Sequence, residues 1–277
     1  MRPTFSIYLL ICLGIQSQVS ASDPLPEGLG LSGGFPGDRG IANHAAVLLV
    51  EDFENAALTD LKGRWNEVEN KDGKVLELVS GKPEASAGKQ CLQVTATLGE
   101  NTGGHLFKRI DPIQERVFAR FYVKFAEDAP YLHHFSGLGG YNPPTNWPQG
   151  SAGKHAAGDT RFSARIEPNG YYGTLPAPGA WMFYTYWHDM KQSGDGGFWG
   201  NGLWPIGKPG PPRGQWQCVE MMLTCNEVGQ SDGELALWLD GKPTTRIGPG
   251  TKTGKWSRVW FDDIVIATEY IGLIAKP

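Results

Sequence analysis

The sequence predicts an all-β fold in which two antiparallel sheets pack face to face as a sandwich. Three observations support this prediction. Segments with alternating apolar and polar residues recur along the chain, which is typical of half-buried strands. The 38 glycines and 20 prolines among 277 residues indicate many turns between those strands. Long segments with the periodicity of an amphipathic helix are absent from the sequence.

The N-terminal residues 1–21 have the features of a secretory signal peptide. Arg2 precedes an apolar run from Phe5 to Ile15, and small residues up to Ala21 provide a cleavage site. The alternative is an N-terminal membrane anchor, but the apolar run is too short to span a bilayer comfortably. We therefore predict a secreted or periplasmic protein that has no membrane contact after cleavage of the signal.

The mature chain is expected to form one domain preceded by a short arm. Residues 22–45 are rich in Gly, Pro and small residues, which predicts a flexible arm or linker. Residues 46–277 are long enough for a single large β domain. The 25 basic and 29 acidic residues show no basic run or stripe, so the composition predicts no binding to nucleic acid.

The strands follow one another along the domain with turn residues between them. The predicted strands are residues 47–50, 75–79, 90–98, 105–110, 116–125, 161–167, 181–188, 216–225, 233–241 and 258–272. Residues 126–160 and 189–214 are predicted to be long loops, which are often functional in a compact domain. Residues 242–257 are predicted to be a short link without a strand.

The cysteines favour buried thiols over a disulfide framework. Cys12 leaves with the signal, and Cys218 and Cys225 lie on one predicted strand with opposite orientations. Those two side chains are therefore too far apart to pair with each other. A bridge from Cys91 to one of them is the alternative, and the spacing matches no zinc motif.

Alternation places a polar and aromatic set on one side of several central strands. Its members are Arg120, Tyr122 and Lys124; Arg161, Arg165 and Glu167; Tyr184, Tyr186 and His188; and Glu220. Such a face is either a solvated sheet surface or a ligand-binding surface. The abundance of Arg and Tyr favours binding, because these side chains are suited to stacking and to forked hydrogen bonds.

A series of turn, hairpin and aromatic motifs occupies residues 214–272. The motifs are Gly214-Gln215-Trp216, Glu220, Asn226, Gly229, Asp232-Gly233, Leu237-Trp238-Leu239-Asp240-Gly241, Trp260-Phe261-Asp262-Asp263 and Glu269-Tyr270-Ile271-Gly272. In these motifs the chain resembles the polysaccharide lyases of families 14 and 20, and the resemblance extends more weakly back to the strand around Phe121. It implies a concanavalin A-like β-jelly roll and β-elimination on a uronic-acid-containing extracellular polysaccharide.

The β-elimination reaction that the resemblance implies needs a cation for the uronate carboxylate, a base and an acid. Arg120 and Arg165 are the candidates for the carboxylate, and His133, His134, Tyr184 and Tyr186 are the candidates for proton transfer. A tyrosine base needs a nearby cation, which Arg165 supplies if its strand neighbours that of Tyr184. The candidates for substrate binding are Tyr122, Lys124, Arg161, Glu167, His188, Trp199 and Glu220.

Three alternatives stay open at this point. Each candidate residue could have a structural role, and the same groove could serve a non-catalytic, lectin-like glycan-binding module. A retaining glycosidase needs two carboxylates about 5 Å apart, whereas Glu167 and Glu220 are isolated on their predicted strands. No cofactor is required, but Asp52 and Asp263 could hold a structural calcium ion where the first and last strands meet.

Overall fold

The computed structural model describes residues 24–55, 57–132, 134–141, 152–156, 161–226, 232–248 and 260–276, with only the backbone of residues 260–263. These residues form fourteen strands and five short 3₁₀ helices. The strands are β1 (Val47–Glu51), β2 (Glu67–Glu69), β3 (Leu76–Ser80), β4 (Gln90–Val94), β5 (His105–Phe107), β6 (Arg116–Lys124), β7 (Ser136–Tyr141), β8 (Arg161–Asn169), β9 (Ala180–Tyr186), β10 (Asn201–Leu203), β11 (Trp216–Thr224), β12 (Glu234–Leu239), β13 (Lys242–Ile247) and β14 (Trp260–Ala267). The 3₁₀ helices are Leu31–Gly34, Pro36–Asp38, Ile41–Asn43, Leu58–Gly63 and Lys71–Gly73.

The strands form two main antiparallel sheets. The large sheet has the order β13-β12-β11-β6-β14-β4-β3, with β1 paired to β14, and the small sheet has the order β10-β9-β8-β7. Strands β2 and β5 form a separate two-stranded ribbon. This architecture confirms the predicted all-β sandwich. None of the helices in the described residues is long and apolar enough to cross a membrane.

The hydrophobic core lies between the inner faces of the two sheets. Phe121 of β6 and Met221 of β11 face Ile166 of β8 and Phe183 of β9, and all four are almost completely buried. Each side chain of this size contributes about 1.5–3 kcal/mol when it is removed from water. Because side chains alternate along a strand, burying this set turns the intervening side chains to the outside of the sandwich.

A second apolar layer covers the outer face of the large sheet. Phe118, Trp238 and Val265 on that face pack with Ile41 of the N-terminal arm and Ile271 of the C-terminal tail. Where the sequence predicts a flexible arm, residues 24–45 therefore form short 3₁₀ turns that belong to the folded body. The physical reason is that Phe118, Trp238 and Val265 make part of this face apolar, and covering it removes that surface from water.

Hydrogen bonds fix the arm to the tail over this layer. The backbone amides of Leu31 and Ser32 donate to the carbonyls of Tyr270 and Ile271 at 2.8 and 2.7 Å, and the amide of Gly37 donates to Ala275. The arm and the tail, residues 268–276, thus behave as one cover on the large sheet.

Three strands appear where the sequence predicts loop or link, and the shortest of them, β10, lies in the predicted loop 189–214. Lys242–Ile247 pairs with β12 at the edge of the large sheet, although it contains Pro243, which is tolerated on an edge strand. The Gly-rich Ser136–Tyr141 pairs with β8 inside the predicted loop 126–160. Glycine and proline are both depleted in strands, which explains why sequence patterns miss these two.

The three cysteines in the described residues are free thiols. Cys91 and Cys218 are buried, and Cys225 is half-buried. No pairing between them occurs, so the sheets are stabilised by packing and by backbone hydrogen bonds.

Candidate functional site

The outer face of the small sheet brings together several of the predicted site residues. Strands β8 and β9 are neighbours, and Arg165 lies directly opposite Tyr184 in their register. Ala164 and Ile166 point into the core, so Arg165 points away from it. We call this surface the small-sheet face and define it by Arg161, Arg165, Glu167, Tyr184 and Tyr186, together with His134 from the segment before β7.

The members of the small-sheet face differ in exposure. Arg165, Tyr184 and Tyr186 are between 5% and 8% exposed, and Glu167 is 1% exposed. The side chain of His134 is 38% exposed, and Arg161 is half-buried. The face is therefore a largely desolvated floor, and His134 and Arg161 are its more exposed members.

Glycines on β7 make room for this floor. Gly137 lies opposite Arg165 and Gly139 lies opposite Ser163 in the register of β7 with β8. A Cβ atom on Gly137 would stand 2.8 Å from Cγ of Arg165, which is well inside van der Waals contact. The glycine therefore permits the observed position of the Arg165 side chain. Sequence reasoning missed this strand, although the run of glycines before Tyr141 was a visible signal of close approach.

Arg165 and His134 form a directed contact. Nη1 of Arg165 is 3.1 Å from Nδ1 of His134, and a guanidinium can only donate. Nδ1 is therefore the acceptor, and the neutral imidazole carries its proton on Nε2. The same Nδ1 is 3.8 Å from a carboxylate oxygen of Glu167. His134 has a φ of 65°, an uncommon backbone conformation for a non-glycine residue.

Two arginines lie over two tyrosines on this face. Cζ of Arg165 is 5.8 Å from the ring centroid of Tyr184, and Cζ of Arg161 is 5.2 Å from that of Tyr186. The two tyrosine rings meet edge to face with their centroids 5.6 Å apart. Arg161 also donates to the carbonyl of Lys154 at 2.7 Å, which holds its guanidinium in place. The arrangement puts positive charge directly beside two phenols.

The environment keeps Tyr184 protonated. Burial raises the pKa of the Tyr184 phenol, and a hydrogen bond with Tyr186 and the negative charge of Glu167 raise it further. The charge of Arg165 acts in the opposite direction but is the smaller effect. Tyr184 is therefore a neutral proton donor at physiological pH.

Tyr141 is a further member that the sequence did not single out. It lies opposite Arg161 in the register of β7 with β8, and burial raises its pKa while Arg161 and Arg165 lower it. Its proximity to both arginines extends the phenol-rich floor to the edge of the sheet.

Arg120 lies on the opposite side of the molecule. It belongs to β6 of the large sheet, is fully buried under the arm, and is paired with Asp38. Nη1 of Arg120 also donates to the carbonyl of Gly272 at 3.1 Å. The expectation that Arg120 and Arg165 share one trough is therefore wrong, because the outer faces of two packed sheets point in opposite directions.

Three more predicted ligand-binding residues lie on that covered side. The Tyr122 hydroxyl accepts from the amide of Ile274 at 3.1 Å. Glu220 accepts from the amides of Ile271 and Gly272 at 2.9 and 3.0 Å. Tyr122 and Glu220 thus anchor the C-terminal tail. Lys124, at the end of β6, has its Nζ 5.3 Å from the ring centroid of Trp216.

His188 and Trp199 lie in loops that follow β9. Nε2 of His188 is 3.4 Å from Asp189, and Nε1 of Trp199 donates to Asp195 at 2.8 Å. The His188 side chain is 52% exposed, and Trp199 is 41% exposed. His133 lies outside the described residues, and its role stays a prediction.

The calcium site also stays a prediction. Strand β1 pairs with β14, as expected for the first and last strands of the domain. Asp52 is exposed and its carboxylate accepts from the amide of Glu54 at 3.1 Å, whereas the side chain of Asp263 lies outside the described residues. Within the part of the chain that the structure describes, no group of three or more His, Cys, Asp or Glu side chains forms a metal site.

Comparison with known proteins identifies the fold. No family model and no curated protein matches the sequence. Among solved structures, a PL-14 alginate lyase from Aplysia kurodai aligns with a TM-score of 0.55 and 13% identity, over 81% of this chain and 100% of that chain. The alginate lyase vAL-1 from a Chlorella virus aligns with a TM-score of 0.50 and 16% identity, over 80% and 99%.

These matches confirm the predicted jelly-roll fold and the predicted resemblance to polysaccharide lyases at the level of the fold. The chain has a polysaccharide lyase-like β-sandwich. Identities of this size carry no residue roles, so the chemistry of the site must be argued from its own geometry.

Proposed function

We propose that the protein is an exported polysaccharide lyase that cleaves a uronic-acid-containing polysaccharide by β-elimination at the small-sheet face. The observation that carries this proposal is the cluster of Arg161, Arg165, Tyr184 and Tyr186, with His134 beside it, which places two cations next to two phenols on one face. The lyase-like fold supports it, and residues 1–21 support export.

The arginines supply the charge that the reaction requires. Removing the proton next to a carboxylate builds negative charge on that carboxylate, and preorganised donors stabilise it best in a desolvated site. Arg165 and Arg161 provide two forked donors, and His134 adds the N–H on Nε2. Because Nδ1 of His134 is occupied by Arg165, the imidazole acts as a donor to the carboxylate rather than as the base.

The two tyrosines have different roles, one as the base and one as the acid. In its phenolate form, Tyr186 lies under the guanidinium of Arg161 and takes the proton from the carbon next to the carboxylate. The electron pair of that C–H bond forms the carbon–carbon double bond, and the bond to the glycosidic oxygen breaks. Tyr184 gives its proton to the departing oxygen. The hydrogen bond between the tyrosines then returns the proton from Tyr186 to Tyr184 and restores the site.

The test is a lyase assay with matched variants. Wild-type protein is incubated with alginate, glucuronan and a neutral glucan, and the ultraviolet absorbance of the unsaturated uronide is followed. Tyr184→Phe and Arg165→Ala are expected to lower kcat at least 100-fold, in the range of general acid and charge-stabilising groups. Tyr270→Phe and Arg109→Ala are the controls, because both residues lie away from the small-sheet face.

The outcomes separate the two functional classes. Product formation that the site variants lose and the controls keep supports the lyase. Retention of the protein on a polyuronate without any product would show a lectin-like glycan-binding module and refute the catalytic proposal.

A further inference from the structure

A group of exposed aromatic side chains lies at one end of the small-sheet face. Tyr131 and Tyr172 are 44% and 97% exposed, and Tyr171 is 38% exposed. Trp204 follows β10 directly and packs against the cluster that contains Tyr184 and Tyr186. We call Tyr131, Tyr171, Tyr172, Trp204 and Lys208 the aromatic platform.

The platform residues lie in three loops, which precede β7, follow β8 and follow β10. The amide of Tyr171 donates to the side chain of Asn169 at 2.9 Å, and the Tyr131 hydroxyl donates to the carbonyl of Leu175 at 2.5 Å. The amide of Trp181 in β9 donates to the carbonyl of Pro209, which ties the loop after β10 to the sheet. Hydrogen bonds therefore fix the loops that carry the aromatic rings relative to one another and to the sheet.

Lys208 is held by the rings beside it. Its Nζ is 3.6 Å from the ring centroid of Tyr171 and 5.8 Å from that of Trp204. Tyr171 and Trp204 meet edge to face at 5.3 Å. The ammonium group is thus oriented by cation–π contacts and keeps donors for an anionic ligand.

Three platform residues have left-handed backbone conformations. Tyr171, Tyr172 and Lys208 have φ values of 44°, 59° and 45°. This region is unfavourable for side chains with a Cβ atom, and such conformations cluster at ligand clamps and active sites. Tyr172 lies in a turn closed by hydrogen bonds from the amides of Thr174 and Leu175 to the carbonyls of Tyr171 and Gly170, and its side chain is almost fully exposed.

We propose that the aromatic platform is a distal subsite that binds an acidic sugar residue of the same polysaccharide chain. In this subsite the sugar ring stacks on the face of Tyr172, and the carboxylate of the sugar binds Lys208. The proposal rests on the proposed function. Asn169, next to the platform, lies four residues beyond Arg165 on β8, which corresponds to about 13 Å at the rise of a strand. A ligand that contacts both sites is therefore an oligosaccharide, and its charge matches the cations at both ends.

The test measures binding without turnover. Protein mobility is followed by affinity electrophoresis in gels containing alginate, glucuronan or a neutral glucan, for Tyr172→Gly and Lys208→Met. Glycine adopts the left-handed conformation without steric cost, so Tyr172→Gly is expected to fold at least as stably as wild type. Leu98→Ala, at a fully exposed apolar side chain, and Lys62→Met, at an exposed lysine, are the matched controls.

Both platform variants are expected to weaken retention by a polyuronate roughly tenfold, as for the loss of a stacking or cation contact, while the controls bind as wild type does. If either platform variant is retained by a polyuronate as strongly as wild type, the platform is not a sugar-binding subsite, whatever the lyase assay shows. If the variants lose retention on the neutral glucan to the same extent, the platform is not specific for acidic sugars. The same conclusion holds if no polyuronate retains the wild-type protein. Platform-dependent retention without product supports the subsite and refutes the lyase.

Discussion

Replacing Gly137 by alanine tests whether the position of Arg165 matters for function. The added Cβ atom would lie 2.8 Å from Cγ of Arg165 and 2.8 Å from the carbonyl oxygen of Ala164. Carbon atoms normally approach to about 3.5–4.0 Å, so the Arg165 side chain or the β7 strand, or both, must move by roughly 1 Å. The contact with the Ala164 carbonyl requires a shift of β7, which is the edge strand of the small sheet, and the contact with Cγ displaces the Arg165 side chain in addition.

The expected effect is large on activity and moderate on stability. Overpacking of this kind costs about 1–3 kcal/mol of folding free energy. A displacement of about 1 Å of a group that positions the substrate can lower the rate about 100-fold. We therefore expect kcat/KM on a polyuronate to fall about 100-fold in Gly137→Ala, with the unfolding transition still cooperative.

Gly139→Ala is the matched control on the same strand. Its Cβ atom would meet a backbone carbonyl at 2.8 Å as well, but its side-chain neighbour is Ser163 rather than Arg165. Both variants should lose similar stability in urea titrations, and only Gly137→Ala should lose most of its activity. Equal activity in the two variants would refute the link between this glycine and the arginine.

Two further predictions concern the covered face of the large sheet. Asp38→Ala leaves Arg120 buried without its carboxylate partner and is expected to lower the free energy of unfolding by about 3–5 kcal/mol, measured by urea denaturation; a loss below about 1 kcal/mol would contradict this. Burial raises the pKa of Glu220 from 4.5 to about 7, against the opposing effect of two amides and Arg120. Because the folded pKa is the higher one, this group stabilises the fold below its unfolded pKa and loses that contribution as the pH rises from 4.5 through 7. Glu220→Gln should therefore show a flatter dependence of unfolding free energy on pH in that window, and an unchanged slope would argue against the raised pKa.

Local alternation was sufficient to predict most central strands. The segments 116–125 and 216–225 appear as β6 and β11 with little change in their ends. Their apolar residues repeat every second position, and this pattern depends only on neighbouring residues. Strand β7 was missed because glycines give no such pattern, although they are what the arginine opposite requires.

The alternation of apolar and polar residues could not show which of the two sheets has its outer face covered by the arm. Arg120 and Arg165 occupy equivalent positions in their strands, with apolar residues on both sides in the sequence. What separates them is Asp38, which lies 82 residues before Arg120 and reaches it only through the packing of the arm on the large sheet. Contacts of such long range leave no local signal in one sequence, whereas the pairing of Arg165 with Tyr184 needed only that their strands be neighbours.

The charge of the molecule bears on the choice of ligand in two opposite ways. The chain has a formal net charge of −4, which opposes approach of a polyanion at long range. Salt screens exposed charges beyond about 8 Å at physiological ionic strength. The interaction energy at contact therefore depends on the charged groups near the ligand. Among the described residues that define the small-sheet face, these are Arg161 and Arg165 against the carboxylate of Glu167, with Lys208 at the platform. Binding of a polyuronate should therefore survive moderate salt, because the repulsion from the rest of the molecule is screened before the local attraction at the desolvated floor is lost.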